Sequence, residues 1–210
     1  MSLVGVQANK YSADIVNNDG RKARSNASRK KIVKAFLHLI GEGKINPSAE
    51  EVAKMSGVGL RTVFRRFNEM ELLYRELVPE IERIFEALTF EPLKAKNWQD
   101  QLNEALIRKR YIYEQTMLYR IAIVYYSHHS SFLRGRLKKW LQVEENIHKN
   151  ILPFDYAENK VLFDSLQSAT SSDTWTLLRT MQNLPKEQAF DVMKSMKDMI
   201  IQSFIQRNSI

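Results

Sequence analysis

The chain predicts an all-α fold, and three observations carry that reading. Glycine and proline are scarce, 7 and 5 in 210 residues, which favours long helices over turn-rich sheets. Apolar residues recur at three- and four-residue spacing along most of the chain, and no stretch shows the strict alternation of a half-buried strand. With 44% apolar and 27% charged residues the composition is that of an ordinary globular protein. The length allows a substantial core, in one domain or in a small domain joined to a larger one.

The elements follow in order. Residues 1–27 mix Gly, Asn, Asp and Ser without a sustained period and carry Arg21, Lys22 and Arg24 near their end, so they read as a flexible basic arm. Ile32, Val33, Phe36, Leu37 and Ile40 share one helical face until Gly41 and Gly43 stop it, giving a first helix over about 29–42. Ser48 and Glu51 fit the S-x-x-E capping box, in which each side chain accepts a hydrogen bond from an unpaired backbone N–H at a helix start. Pro47 before them fits an abrupt entry, and a short helix follows over about 48–55. Ser56-Gly57-Val58 then breaks the chain, because Gly57 tolerates the left-handed backbone of a tight turn between helices.

A third helix starts near Gly59. Val63 and Phe67, four apart, form its buried side and leave Arg61, Thr62, Arg65 and Arg66 on a polar, cationic face. Asn68 and Glu71 make a second capping pair ahead of Leu72, Leu73 and Leu77. They start a longer fourth helix that runs past Pro79, with a kink there, through Ile81, Ile84, Phe85 and Leu88. Beyond Pro92 the periodicity predicts helices over about 98–112, 115–128, 131–152 and 156–183, a stop at Asn183-Leu184-Pro185, and a final helix over about 186–207. No internal repeat is present.

The net charge of +8 is concentrated. Residues 21–70 hold 12 basic and 4 acidic side chains, while the residues before them sum to −1 and those after to +1. A basic excess over a compact, patterned segment is what a polyanion-binding surface requires, so nucleic acid is the leading partner and an anionic membrane the lesser one. The absence of cysteine excludes a disulfide framework, a thiolate zinc site and a thiol nucleophile. No apolar run of signal-peptide length opens the chain, and the densest later stretch, Ile121 to Tyr126, is too short to cross a bilayer. A cytoplasmic protein that does not engage a membrane is expected.

From Lys31 to Leu77 the sequence resembles the DNA-binding region of the TetR family of repressors. S-A-E-E-V-A at Ser48 to Ala53, S-G-V at Ser56 to Val58, T-V-F-R-R-F at Thr62 to Phe67 and the helix start at Asn68 to Leu73 carry the resemblance, all in register. Over 80–210 only the architecture is similar, a helical bundle ending in two helices that such proteins use to dimerise. The resemblance implies a three-helix helix-turn-helix DNA-binding domain over 28–75 and a ligand-binding and dimerisation domain over 76–210. It implies a sequence-specific transcriptional regulator, a repressor released from a palindromic operator in double-stranded DNA by a small-molecule effector.

Carried over by position, the recognition helix is Gly59 to Phe67. Leu60, Arg61 and Arg65 then take places that face base edges, and Thr62, Phe64 and Arg66 take places near phosphates. Arg61 is the leading base reader, since an Arg can bridge the O6 and N7 of guanine with two hydrogen bonds. The family often has tyrosine where Phe64 stands and lysine where Met70 stands, both reaching phosphate; neither residue can do so here. Arg65, Arg66 and the arm residues Arg24, Arg29 and Lys30 offer substitutes, because counterion release depends on how many phosphates are neutralised.

Catalytic and metal motifs are weak. His128 and His129 are adjacent and point about 100° apart on a helix, so they cannot chelate one metal together. Glu145 and His148 have the E-x-x-H spacing of di-iron bundles, but a second copy is missing, and a solvated helix face is the better reading. Gly57 and Gly59 lack the third glycine, the Gly-Lys-Ser/Thr and the preceding strand of a phosphate loop, and Gly-x-Ser-x-Gly is absent. Neither an enzyme, a cofactor nor a metal site is expected.

Tyr111, Tyr113, Tyr119, Tyr125, Tyr126, Trp140 and Trp175 enrich the middle helices in aromatics, most of them core by their spacing. Phe85, Tyr113, Met117, Trp140, Glu144 and Gln167 are the candidates to line an effector cavity. On the last helix Phe190, Met193, Ile200 and Phe204 form a stripe with Val192, Met196 and Met199 beside it, an apolar arc wider than packing on one bundle needs. With Leu162, Leu166 and Ala169 on the preceding helix it predicts a two-fold four-helix homodimer interface, the alternative being a fully internal helix. The rival functions are a sequence-tolerant DNA binder or scaffold on the same fold, a protein-interaction module, and, weakest, an enzyme using the bundle cavity.

Overall fold

The computed structural model describes residues 26–67, 70–89 and 91–208, and among these residues every regular element is a helix. Arg24 of the basic arm and Asn68 of the second capping pair lie outside the described residues. The chain packs as two units, one up to Glu76 and one from Leu77 onward.

In the first unit α1 covers 26–41, α2 Ala49–Ser56, α3 Leu60–Arg66 and α4 Met70–Arg75. Its buried side chains include Ile32, Phe36 and Ile40 of α1, Val52 of α2, Val63 of α3 and Leu73 of α4. The capping box at α2 is formed on both sides: the Glu51 N–H donates to Ser48 Oγ at 3.3 Å and the Ser48 N–H donates to the Glu51 carboxylate at 2.9 Å. Gly57 takes φ 64°, the left-handed turn that a side chain would strain. The Val58 N–H donates to Ser56 Oγ at 3.3 Å and fixes the entry into α3. Tyr74 stands edge-on to Phe36, and its hydroxyl donates to the Ile45 carbonyl at 2.9 Å, tying the loop between α1 and α2 to α4.

The second unit holds α5 (Leu77–Thr89), α6 (Trp98–Ser127), α7 (Ser131–Ile151), α8 (Lys160–Ala169), α9 (Ser172–Thr176) with a π-helical turn at Leu177–Met181, and α10 (Lys186–Asn208). The long α6 is flanked by α5 and α7, and α10 packs on α8. One core cluster joins Phe85, Leu106, Ile112, Tyr113, Trp175 and Met193; another joins Leu102, Ile151, Leu162, Phe163, Leu166 and Ile201.

Three helix expectations are corrected. The fourth helix is not continuous with a kink: it breaks at Glu76, whose N–H turns back to the Leu73 carbonyl at 3.0 Å. Pro79 has no N–H to offer the Arg75 carbonyl, so it stands instead in the first turn of α5, where no donor is needed. The segments 98–112 and 115–128 form a single 30-residue helix, with Glu114 in its middle held by Arg179 at 2.9 Å and by the Trp175 indole at 3.1 Å. The segment 156–183 divides, because the hydroxyls of its Ser/Thr run compete for the backbone. Thr170 Oγ1 donates to the Leu166 carbonyl at 2.8 Å, and Ser171 Oγ accepts from the Thr174 N–H at 3.0 Å to start α9 afresh.

Candidate nucleic-acid interface and bundle cavity

On α3, Val63 and Phe67 are buried, while Leu60, Arg61, Phe64 and Arg65 are exposed and Thr62 and Arg66 flank them half-buried. The phase puts Arg61 and Arg65 one turn apart on the outward face, beside the apolar pair Leu60 and Phe64, also one turn apart. Among the described residues no ion pair engages Arg61, Arg65 or Lys30. Arg29 differs: its guanidinium pairs with Glu76 and lies 5.4 Å from the centre of the Phe67 ring, so it braces the unit's own core. Arg66 buries its Nε without a hydrogen-bond partner, which leaves only part of that side chain to face a ligand.

The second unit holds a half-open cavity of about 300 Å³ between α5, α6 and α7 and the loop before α6. Of the six cavity candidates, Phe85, Tyr113 and Glu144 line it. Met117 packs against the core cluster, Trp140 is buried with the Arg120 guanidinium 5.4 Å from its ring, and Gln167 donates to the Leu141 carbonyl at 3.0 Å. The polar wall includes Lys109 and Arg108, which the sequence reading passed over. Lys109 is 4% exposed and donates to Thr170 Oγ1 at 3.1 Å. Burial holds its ammonium below the usual lysine range, partly countered by the Glu144 carboxylate. Burial likewise pushes the Tyr113 phenol up, and the neighbouring Glu144 charge adds to the push.

The expectation of a solvated face at Glu145 and His148 is half wrong. Glu145 does pair with Lys149 near the surface, at 2.5 Å, but His148 is buried, its Nε2 3.4 Å from Thr170 Oγ1. The two residues sit about 60° apart around the axis of α7, enough for one to meet water and the other the core. A signal existed for these missed residues: Lys109 shares the buried phase of Leu102, Ala105, Ile112 and Thr116, and His148 that of Trp140, Glu144 and Ile151.

The interface candidates divide as well. Leu162, Leu166, Ala169 and Met193 are buried within the chain's own core, so they are not free to meet a second copy. Phe190, Met196, Ile200 and Phe204 are half-buried. Val161 on α8 and Met199 on α10 stand out at 80% and 57% exposure, and with Ile200 and Phe204 they line a groove of about 620 Å³.

The chain matches no protein-family model and no solved structure. A Staphylococcus aureus (strain MRSA252) protein named an HTH-type transcriptional regulator is similar to it, 29% identical over 186 residues that cover 81% of this chain and 93% of that protein.

Proposed function

We propose that the protein is a DNA-binding transcriptional regulator of the TetR type, a homodimeric repressor that a small-molecule effector releases from a near-palindromic operator. Residues 28–75 are the reading head and 76–210 the effector and dimerisation domain. The observation that carries the reading is the face of α3, where Arg61 and Arg65 point outward over buried Val63 and Phe67, within the segment that holds the whole basic excess. The similarity, over most of both chains, to a protein named an HTH-type transcriptional regulator supports the regulator part of it. Such a regulator acts where the DNA is, in the cytoplasm.

In this reading Arg61 and Arg65 engage base edges in the major groove, and Leu60 and Phe64 supply apolar contact suited to thymine methyls. Lys30 and the basic arm add phosphate contacts that fix register. Two reading heads about 34 Å apart meet successive major grooves on one face of the duplex. The effector acts by preferring one spacing of the heads, since a ligand shifts an equilibrium only through its differential affinity.

The test is selection of bound sequences from a random duplex library, repeated with Arg61→Ala at two salt concentrations. A palindromic consensus is expected, relaxed at one position per half-site in the variant, with a loss of about 1–3 kcal/mol on the preferred site. Enrichment without a consensus, together with a steep salt dependence, would instead make it a sequence-tolerant DNA binder.

A further inference from the structure

The cavity of the second unit carries a polar atom that the protein leaves unanswered. Glu144 is 2% exposed, it lines the cavity, and its Oε1 has no hydrogen-bond partner. Three donors of the cavity wall are committed elsewhere. Tyr113 has one hydroxyl proton and gives it to the Thr170 carbonyl at 3.1 Å. Lys109 turns its ammonium to Thr170 Oγ1 at 3.1 Å and to the Thr170 carbonyl at 3.4 Å. Arg108 pairs with Glu104 at 2.6 Å and donates to the carbonyls of Pro92, at 2.9 Å, and Glu91. A buried carboxylate oxygen in this state is costly, and a donor entering the cavity relieves the cost.

Charge selects the kind of donor. Glu91, Arg108, Lys109 and Glu144 line the cavity, and Glu104 holds Arg108. The lining itself is balanced, two carboxylates against two cations, but Arg108 is paired with Glu104 and Lys109 is turned to Thr170, so neither cation is hydrogen-bonded to Glu144. A neutral donor would answer the hydrogen bond and leave the charge, while an anion would meet Glu144 head on. The rest of the wall, Phe85, Ile112, Ile147, Ile151 and Leu93, is apolar and calls for a hydrocarbon body. Among the described residues no three His, Asp or Glu side chains converge as a metal site would need, so the cation that fits is organic.

We propose that this cavity binds a small apolar molecule bearing one protonated amine, received by Glu144. At about 300 Å³ the space is at the lower end of ligand pockets, which suits a single ring with a short aminoalkyl tail. The amine's role as effector rests on the regulator reading; its binding does not.

The probes are phenylbutylamine, phenylbutanol and phenylbutyrate, one body with a cationic, neutral or anionic end, titrated by calorimetry into the full chain. The amine is expected to bind about tenfold or more tighter than the alcohol, and the carboxylate weakest. In Glu144→Gln protein the amine should fall to within about twofold of the alcohol, with the alcohol little changed. Tightest binding of the carboxylate, equal binding of all three, binding of none, or an amine preference that survives in Glu144→Gln would each overturn the proposal. Should that variant fail to fold, the charge series on the unaltered protein decides alone. An amine that binds but leaves DNA affinity unchanged removes the effector role and leaves the ligand class standing. A protein that selects a palindrome but ignores the amine does the reverse.

Discussion

His148 is held neutral in the folded chain. Burial first, and the charge of Lys109 second, push its imidazole down to about 2 from an ordinary 6.5. Between those values the unfolded chain carries a proton that the folded one refuses, so acid favours unfolding. The contribution is nil above about pH 6.5 and grows by roughly 1.4 kcal/mol for each pH unit below it. Unfolding in denaturant at pH 7 and at pH 5 should show His148→Gln losing about 2 kcal/mol less than the unaltered protein between the two conditions. Equal losses would mean that the imidazole titrates freely. At this scale the outward face of α3 was legible, because Val63 and Phe67 fix its rotation and leave Arg61 and Arg65 no other side. The cavity wall was less so: Lys109 and His148 look like surface residues by type, and only their phase on α6 and α7 betrays their burial.

The short elements depend on their ends. α2 has 8 residues, too few for a helix to persist on propensity alone, and its capping box answers two otherwise unpaired N–H groups. Ser48→Ala should cost about 1 kcal/mol of stability, read from the denaturant midpoint, and Ser48→Asp should recover most of it, since Asp caps as well as Ser. An unchanged midpoint in Ser48→Ala would place the strength of α2 in its packing through Ala49 and Val52. The same end signals explain which elements the sequence revealed. α2, the turn at Gly57 and the stop before α10 carry Ser, Gly or Pro with a local mechanism. The merger of two expected helices into α6 and the division after Ala169 do not: the first is fixed by Glu114 meeting residues 61 and 65 positions away, the second by Thr170 bonding back to Leu166. Sequence windows see local preference, and these two outcomes are decided by tertiary partners and by which oxygen a hydroxyl finds.

In the proposed homodimer two reading heads have to be held together by the second unit. The buried leucines of α8 and Met193 of α10 are used within one chain, which moves the proposed dimer surface outward to Val161, Met199 and the half-buried Ile200 and Phe204. Exposed apolar groups grouped along a groove are a liability to a solitary chain and an asset to a two-fold interface, where the same patch meets its own copy. A charge placed there costs little in the monomer, because Val161 and Met199 already face water. In an isologous dimer it is doubled and brought against its copy in a desolvated setting. The double substitution Val161→Glu and Met199→Glu should therefore give monomers in sedimentation at concentrations where the unaltered protein is a dimer, with thermal stability of each chain changed by less than about 0.5 kcal/mol. Palindrome binding should weaken sharply in the same variant, since a single head retains only half the contacts. A variant that stays dimeric would move the interface to another face of the second unit, and a variant that unfolds would mean that this surface belongs to the chain's own core.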